Sequence, residues 1–189
     1  MIVRDRTHKQ RIVDILSKSF DGNQSINYIV KQDRKRKVRI RYLMDYCFEM
    51  CLLKGQIFLS EDHNGCALIV HPERKSGLIK SIWLNIKLAF RSIGLWRIGK
   101  VMMREKLIKA HQPGDPFYYL WFVGVLPDFQ GKGIGSKLLD EVFLYYQEDD
   151  RLFYLETSVL TNLPWYKKYG FEVINEIEIG YILYQMIKR

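Results

Sequence analysis

The sequence predicts a mixed α/β fold, a mostly antiparallel sheet flanked by helices, with one parallel pair of strands inside it. Three observations predict it. Residues 117–173 read as strand, glycine-rich turn, helix, strand and short helix, and a strand–helix–strand unit closes as a right-handed crossover between parallel neighbours. "QIFLS" and "CALIVH", split by "EDHNG", read as two antiparallel strands with Asn64-Gly65 as the hairpin turn signal. The 189 residues, 48% hydrophobic and 27% charged, suit one domain with a full core, and 1–189 is read as that domain.

The elements follow in order. Ile2 and Val3 form a short strand. Ile12, Val13, Leu16 and Phe20 recur at helical spacing and predict a helix over 8–20, broken by "DGN" at 21–23. Ile40, Leu43, Met44, Cys47, Phe48 and Cys51 make one apolar stripe and predict a helix over 35–53, closed by Gly55. After the hairpin, Ile79, Ile82, Trp83, Ile86 and Phe90 fit one helix, and Ile98, Met102 and Leu107 another. These are read as a pair packed on the sheet. Residues 76–110 also hold eight Lys or Arg against one acid, Glu105, so a basic amphipathic helix on a membrane surface is the competing reading.

"FYYLWFVGV", residues 117–125, is apolar throughout and reads as a strand buried on both faces. Gly124 within it marks a bulge or a close approach of another backbone or ligand, and Pro127 ends it. Ile134, Leu138, Leu139, Val142 and Tyr146 then share a helix face. "RLFYLETS" is the next strand. "NLPWYKKYG" is a short helix with Asn162 as N-cap, Pro164 in the first turn and Gly170 past the end. Two final strands turn near Ile179-Gly180.

The formal net charge of +9 favours polyanionic partners and says nothing about fold. Arg34, Lys35, Arg36, Lys37, Arg39 and Arg41 read first as a solvated helix face, then as a contact for nucleic acid or anionic lipid. Cys47, Cys51 and Cys66 make no disulfide framework. His63 lies three residues before Cys66, but buried thiols outrank a metal site, so no metal is expected and a reducing cytoplasm is. No run of about 18 apolar residues predicts a spanning helix. "MIVRDRTHKQ" becomes charged too soon for a secretory signal.

"QGKGIGSKLL" carries the functional reading. Gly131, Gly133 and Gly135 are spaced G-x-G-x-G, whereas a dinucleotide fold wants G-x-G-x-x-G. A P-loop wants a glycine five residues before Gly131, where Leu126 stands. What survives is local physics. Amides at a helix start are unpaired and partly positive, glycines admit a ligand closely, and Lys132 adds a cation. An anion cradle and a merely structural corner both fit the turn on its own.

"VLPDFQGKGIGSKLL" resembles motif A of the GCN5-related N-acetyltransferase (GNAT) superfamily, [QR]-x-x-G-x-[GA], through Gln130, Gly133 and Gly135. "YLETSVLTNLPWYKKYGFEVINE" resembles its motif B, an Asn before an aromatic–Tyr pair and a Gly-Phe. The two cover about a third of the chain, and both in order are far more specific than either alone. The resemblance implies a GNAT-type sheet whose fourth and fifth strands, parallel, splay apart to admit acetyl-CoA. The pantetheine arm would pair with backbone groups of Phe122, Val123 and Val125, and a bulge at Val123–Gly124 would free an N–H for the thioester oxygen. The pyrophosphate would sit on amides of Gln130, Gly131, Lys132, Gly133, Ile134, Gly135 and Ser136, and Asn162 would bond the coenzyme.

The resemblance also implies acetyl transfer to a primary amine by direct attack, with Tyr166 as general acid. Many relatives place a basic carboxylate on the fourth strand, where this sequence has none. Glu156, on the next strand, is the nearest candidate, with a structural hydrogen-bonding role as its rival. His111 and Asp115 are expected at the acceptor mouth. The acceptor is a small molecule or peptide amine. The basic helices hint at an anionic one, and polyamines fit a +9 surface poorly. The alternative is a catalytically silent GNAT-like module that binds CoA and uses its basic helices on nucleic acid or an anionic membrane surface.

Overall fold

A computed structural model describes the backbone of residues 1–74 and 78–189, and the side chains of these except 78–81. The readings of Ser76 and of the Ile79 side chain lie outside the described residues. In chain order the elements are β1 Ile2–Val3, α1 Lys9–Ser19, α2 Gln24–Ile29, α3 Arg36–Lys54, β2 Gly55–Leu59 and β3 Gly65–Val70. Then come α4 Leu78–Leu88, α5 Ile98–Lys109, β4 Tyr118–Val125, α6 Ile134–Tyr145, β5 Phe153–Thr157, α7 Leu163–Lys168, β6 Glu172–Glu178 and β7 Ile182–Lys188. A five-residue π turn, Ala89–Ile93, and a 3₁₀ turn, Leu95–Arg97, join α4 to α5.

The sheet runs β1-β2-β3-β4-β5-β7-β6, and every neighbour is antiparallel except β4 and β5. That pair is joined only at Tyr118–Phe153 and Tyr119–Tyr154. Beyond those residues the strands part. Ile12, Leu16, Met44 and Phe48 of α1 and α3 cover one face of the sheet against Leu59, Leu68 and Phe122. Leu138, Leu139 and Val142 of α6 cover the other, with Tyr166 and Phe171, against Ile69, Leu120 and Leu155. Burying such a side chain fully contributes about 1.5–3 kcal/mol, so both layers are fixed by the apolar stripes of their helices.

Buried charge ties α1 to α3. Glu49 accepts from Arg6 Nη2 at 2.7 Å and from Lys9 Nζ at 3.0 Å. These partners hold its carboxyl down to about 2. The basic run is partly neutralised on the spot: Arg36 pairs with Asp21, Arg39 with Asp33 and Arg41 with Asp14.

Several expectations need correction. "DGN" does follow the end of α1, but it also opens a helix that the sequence reading lacked. Asn23 starts α2, its side chain accepting from Ile26 N at 3.1 Å. The hairpin does not turn on Asn64-Gly65. The loop is 60–64, His63 takes the positive φ of 56°, and Gly65 lies in β3. A Cβ on Gly65 would stand 2.7 Å from Ile134 Cγ2, so this glycine admits α6. β4 is not buried on both faces: it alternates between buried and half-buried, and the half-buried side chains line a cavity. The extra residue of β4 is Trp121, since Leu68 faces Phe122 and Ile69 faces Leu120. The bulge expected at Val123–Gly124 is therefore absent. Gly124 pairs regularly with Cys66, and it is a glycine because Leu16 of α1 would stand 3.0 Å from a Cβ there. Finally, the apolar face of α4 is not packed on the sheet: Ile82, Trp83, Ile86 and Phe90 are exposed.

Candidate active site

The parted strands open a cavity of about 1010 Å³ that runs from the start of α6 to the inner faces of α4 and α5. Its first end is built by glycine. Gly131 and Gly133 have φ of 75° and 79°, a left-handed backbone that side chains resist. Lys137 N closes the first helical bond to Gly133 O at 3.0 Å, which leaves the amides of Ile134, Gly135 and Ser136 without helical partners. A Cβ on Gly131 or Gly133 would meet nothing within 4 Å, and Gly133, Ile134, Gly135 and Ser136 all line the cavity. Trp165 packs beside Gly135 and donates through Nε1 to Ser136 Oγ at 3.2 Å. Lys132 is turned aside: its Nζ donates to Asp128 O at 3.0 Å and lies 4.9 Å from the Phe129 ring centre.

β4 forms the wall. Leu126 N donates to Asn64 O at 2.9 Å, which fixes the phase of the ladder with β3. Alternation then turns the backbone groups of Val123 and Val125 towards the gap and those of Phe122 into the ladder. Phe122 therefore offers the gap no backbone group, contrary to expectation. The Val125 carbonyl already accepts from Ser19 Oγ at 2.7 Å and Gln130 Nε2 at 3.0 Å.

Glu156 projects from β5 into a buried polar cluster. Tyr154 Oη donates to its Oε1 at 2.9 Å, and Arg104 Nη2 lies 3.8 Å from its Oε2. Arg104, from α5, also donates to Tyr181 Oη at 3.0 Å, to Ser25 Oγ at 2.6 Å and to Glu105. Burial pushes the Glu156 carboxyl up to about 7, against the pull of the Arg104 guanidinium.

Tyr166 comes from α7. That helix ends in paired bonds, Gly170 N to Lys167 O at 3.0 Å and Phe171 N to Tyr166 O at 3.2 Å, with Gly170 at φ 85° and Phe171 packed edge-on to Tyr166 at 5.7 Å. Burial pushes the Tyr166 phenol well above its ordinary value. Asn162 holds the N-cap position of α7 but makes no side-chain capping bond. Ser158 Oγ, just past β5, is buried without a partner among the described residues.

Residues 91–173 match the family model of the acetyltransferase (GNAT) domain. An uncharacterized N-acetyltransferase of Schizosaccharomyces pombe is 40% identical over 145 residues, 68% of this chain and 56% of that protein. The chain belongs to the GNAT superfamily. A GNAT fold is likewise what the solved structures return. The Corynebacterium glutamicum protein described as histone acetyltransferase HPA2 and related acetyltransferase aligns at a TM-score of 0.71 with 19% identity, over 100% of this chain and 94% of that one. The C-terminal condensation domain of Ebony, solved with beta-alanyl-dopamine, aligns at 0.73 with 10% identity, over 100% and 96%. The chain spans 56% of the length of its fission-yeast relative.

In this GNAT cleft the structure brings together Val123, Val125, Gln130, Gly131, Gly133, Ile134, Gly135, Ser136, Asn162, Glu156 and Tyr166; Phe122 lines it with its side chain. Lys132, His111 and Asp115 are not among the lining residues. Gln112, between the last two, is. The sequence reading missed Arg104, Glu105, Trp121, Ser158 and Trp165. Arg104 gave a signal of a kind, since Glu105 is the one acid among eight cations of 76–110, but nothing in spacing says that this arginine turns inward. The three cysteines are buried; Cys51 Sγ donates to Ile69 O at 3.0 Å. The basic helices do wall the cavity, yet with Leu88, Ile93, Val101 and Ile108. Arg104 is the one cation among the described lining residues, so the hint of an anionic acceptor finds no support there.

Proposed function

We propose that the chain is a single-domain, acetyl-CoA-dependent N-acetyltransferase that acts on a primary amine. One observation carries the reading: a single cavity joins a helix start with unpaired amides to a buried carboxylate and a phenol across a split parallel strand pair. The coenzyme fits the residues present. The amides at the start of α6 belong to residues that line one end of the cavity, and Ser158, whose hydroxyl is buried without a partner among the described residues, is a lining residue too.

Those amides, with Gln130 and Gly131, hold the pyrophosphate, and Lys132 swings from Asp128 to join them. Val123 and Val125 offer backbone groups to the pantetheine arm, and Asn162 gives its free amide. Acetyl-CoA supplies the activated acetyl group. The ladder break at Trp121 provides a backbone N–H to the thioester oxygen as charge grows there. Glu156, balanced near neutrality, takes the proton of the acceptor ammonium, directly or through water. Tyr166 stays protonated at any working pH and donates its hydrogen to the sulfur as that atom gains charge.

The test is thiol release from acetyl-CoA across a panel of small amines and peptides. Tyr166→Phe is expected to lower kcat by about a hundredfold while CoA affinity by calorimetry stays unchanged. Turnover equal to wild type removes Tyr166 from the reaction. CoA binding without thiol release on any amine favours the silent-module alternative.

A further inference from the structure

Segment 82–103 leaves an unusual amount of apolar surface in solvent. Trp96 is 101% exposed, and Trp83, Ile86, Phe90, Leu95 and Met102 are each more than half exposed. Isolated exposed apolar residues are ordinary, but so many in one short stretch mark an interaction surface. Loose packing does not explain it, because the inner side of the segment is anchored. Leu84 and Ile93 are buried, Ser92 Oγ donates to Arg39 O at 3.0 Å, and Tyr46 Oη donates to Asn85 Oδ1 at 2.9 Å. Trp83, Ile86 and Phe90 recur at helical spacing, so α4 and its π turn present them together, and Gly94 at φ 80° redirects the chain to expose Leu95 and Trp96.

Cations interleave with these side chains. Lys87 lies 4.5 Å from the Trp83 ring centre, Arg91 lies 5.1 Å from that of Tyr42, and Lys100, Lys106 and Lys109 are exposed along α5. The one acid of residues 82–109, Glu105, is tied to Arg104. Interface cores between proteins are depleted of charge, and phosphate-backbone contacts need no large aliphatic face. Trp, Phe and Leu set among Lys and Arg match instead the boundary between anionic headgroups and acyl chains.

We propose that α4, its π turn and the outer face of α5 form a docking surface for an anionic lipid bilayer, with Trp83, Phe90 and Trp96 inserted and Arg91, Lys100, Lys106 and Lys109 on the headgroups. This surface is independent of the acetyl-transfer reading, and its test needs no turnover. The apolar inner faces of the same helices wall the cavity, so docking brings that end of the cleft to the lipid surface.

The full chain is sedimented with phosphatidylcholine vesicles, with and without phosphatidylserine. Binding is expected to the anionic vesicles, to weaken as salt rises, and to fall at least about tenfold in the double variant F90A/W96A. Lys106→Glu with Lys109→Glu is expected to erase the preference for anionic over neutral vesicles. Both variants touch only exposed side chains, and circular dichroism checks their fold. No binding to anionic vesicles overturns the proposal, as does binding that ignores both variants. A dimer that F90A/W96A dissociates, or tight binding of duplex DNA, without vesicle binding, overturns it too.

Discussion

Glu156 owes its chemistry to what surrounds it rather than to its own ionisation. Burial disfavours its charge, Arg104 at 3.8 Å restores part of it, and the carboxyl settles at about 7. At that value it can accept a proton at neutral pH and release it again. The expected outcome is a kcat/KM that rises with pH and levels off with an apparent pKa of about 7, once the acceptor amine's own titration is subtracted. Glu156→Gln should lower the plateau by about a hundredfold and remove that limb. A limb unchanged in the variant would assign the titration to another group. The residue type and its strand were legible, because "LETS" follows an apolar run. Its partner was not, since Arg104 comes from a helix 52 positions earlier and no local pattern reports that contact.

At the level of elements, glycine was the least legible residue, because two physical needs share one letter. Gly131, Gly133, Gly170 and Gly180 need a positive φ, and turn chemistry announces each of them. Gly65 and Gly124 have ordinary backbones and exist so that a helix can come close. The neighbour that demands the glycine is remote in sequence, so the sequence reads Gly65 as a turn and Gly124 as a bulge or a close approach, of which only the approach, by Leu16 of α1, is found. Gly65 offers the sharper test. A methyl there would lie 2.7 Å from Ile134 Cγ2 and 3.0 Å from Leu138 Cδ1. Ile134 is the first residue of α6, so relief through it disturbs the helix start proposed above to hold the pyrophosphate. Gly65→Ala should cost about 1–3 kcal/mol in denaturant unfolding and weaken CoA binding in the same protein. Adding Ile134→Ala, which removes the opposing methyl, should recover part of both. Full additivity of the two substitutions would show that the contact does not couple them. The stripe of α4 carries a related lesson. Periodicity predicts the helix, but it does not say whether the apolar face meets protein or something outside the chain.

Across the whole molecule, two buried groups on either side of β4 oppose each other in the pH dependence of stability. His71, past the end of β3, is bonded through Nε2 to Tyr146 Oη at 2.8 Å, and its Nδ1 has no partner among the described residues. Burial pushes its imidazole down to about 4 from 6.5. Between those values the unfolded chain holds a proton that the folded one lacks, so this term falls as pH falls. Glu156 does the reverse. Its folded carboxyl at about 7 keeps a proton that the unfolded one, at 4.5, has lost, so its term grows as pH falls from 7 to 4.5. Each amounts to about 3 kcal/mol at most, at about 1.4 kcal/mol for each tenfold change in proton affinity. The two slopes nearly cancel from pH 6.5 to 4.5, and the wild-type denaturant midpoint should be flat there. Only below 4.5 should it drop, as Glu49, held down to about 2 by Arg6 and Lys9, begins to protonate in the unfolded chain. Removing either group exposes the other. Glu156→Gln should lose stability steadily as pH falls from 6.5 to 4.5, and His71→Phe, whatever its overall cost, should gain it over the same range. Urea midpoints of both variants across that window decide the matter: parallel curves would mean that the two burials are not coupled to protons as the structure requires.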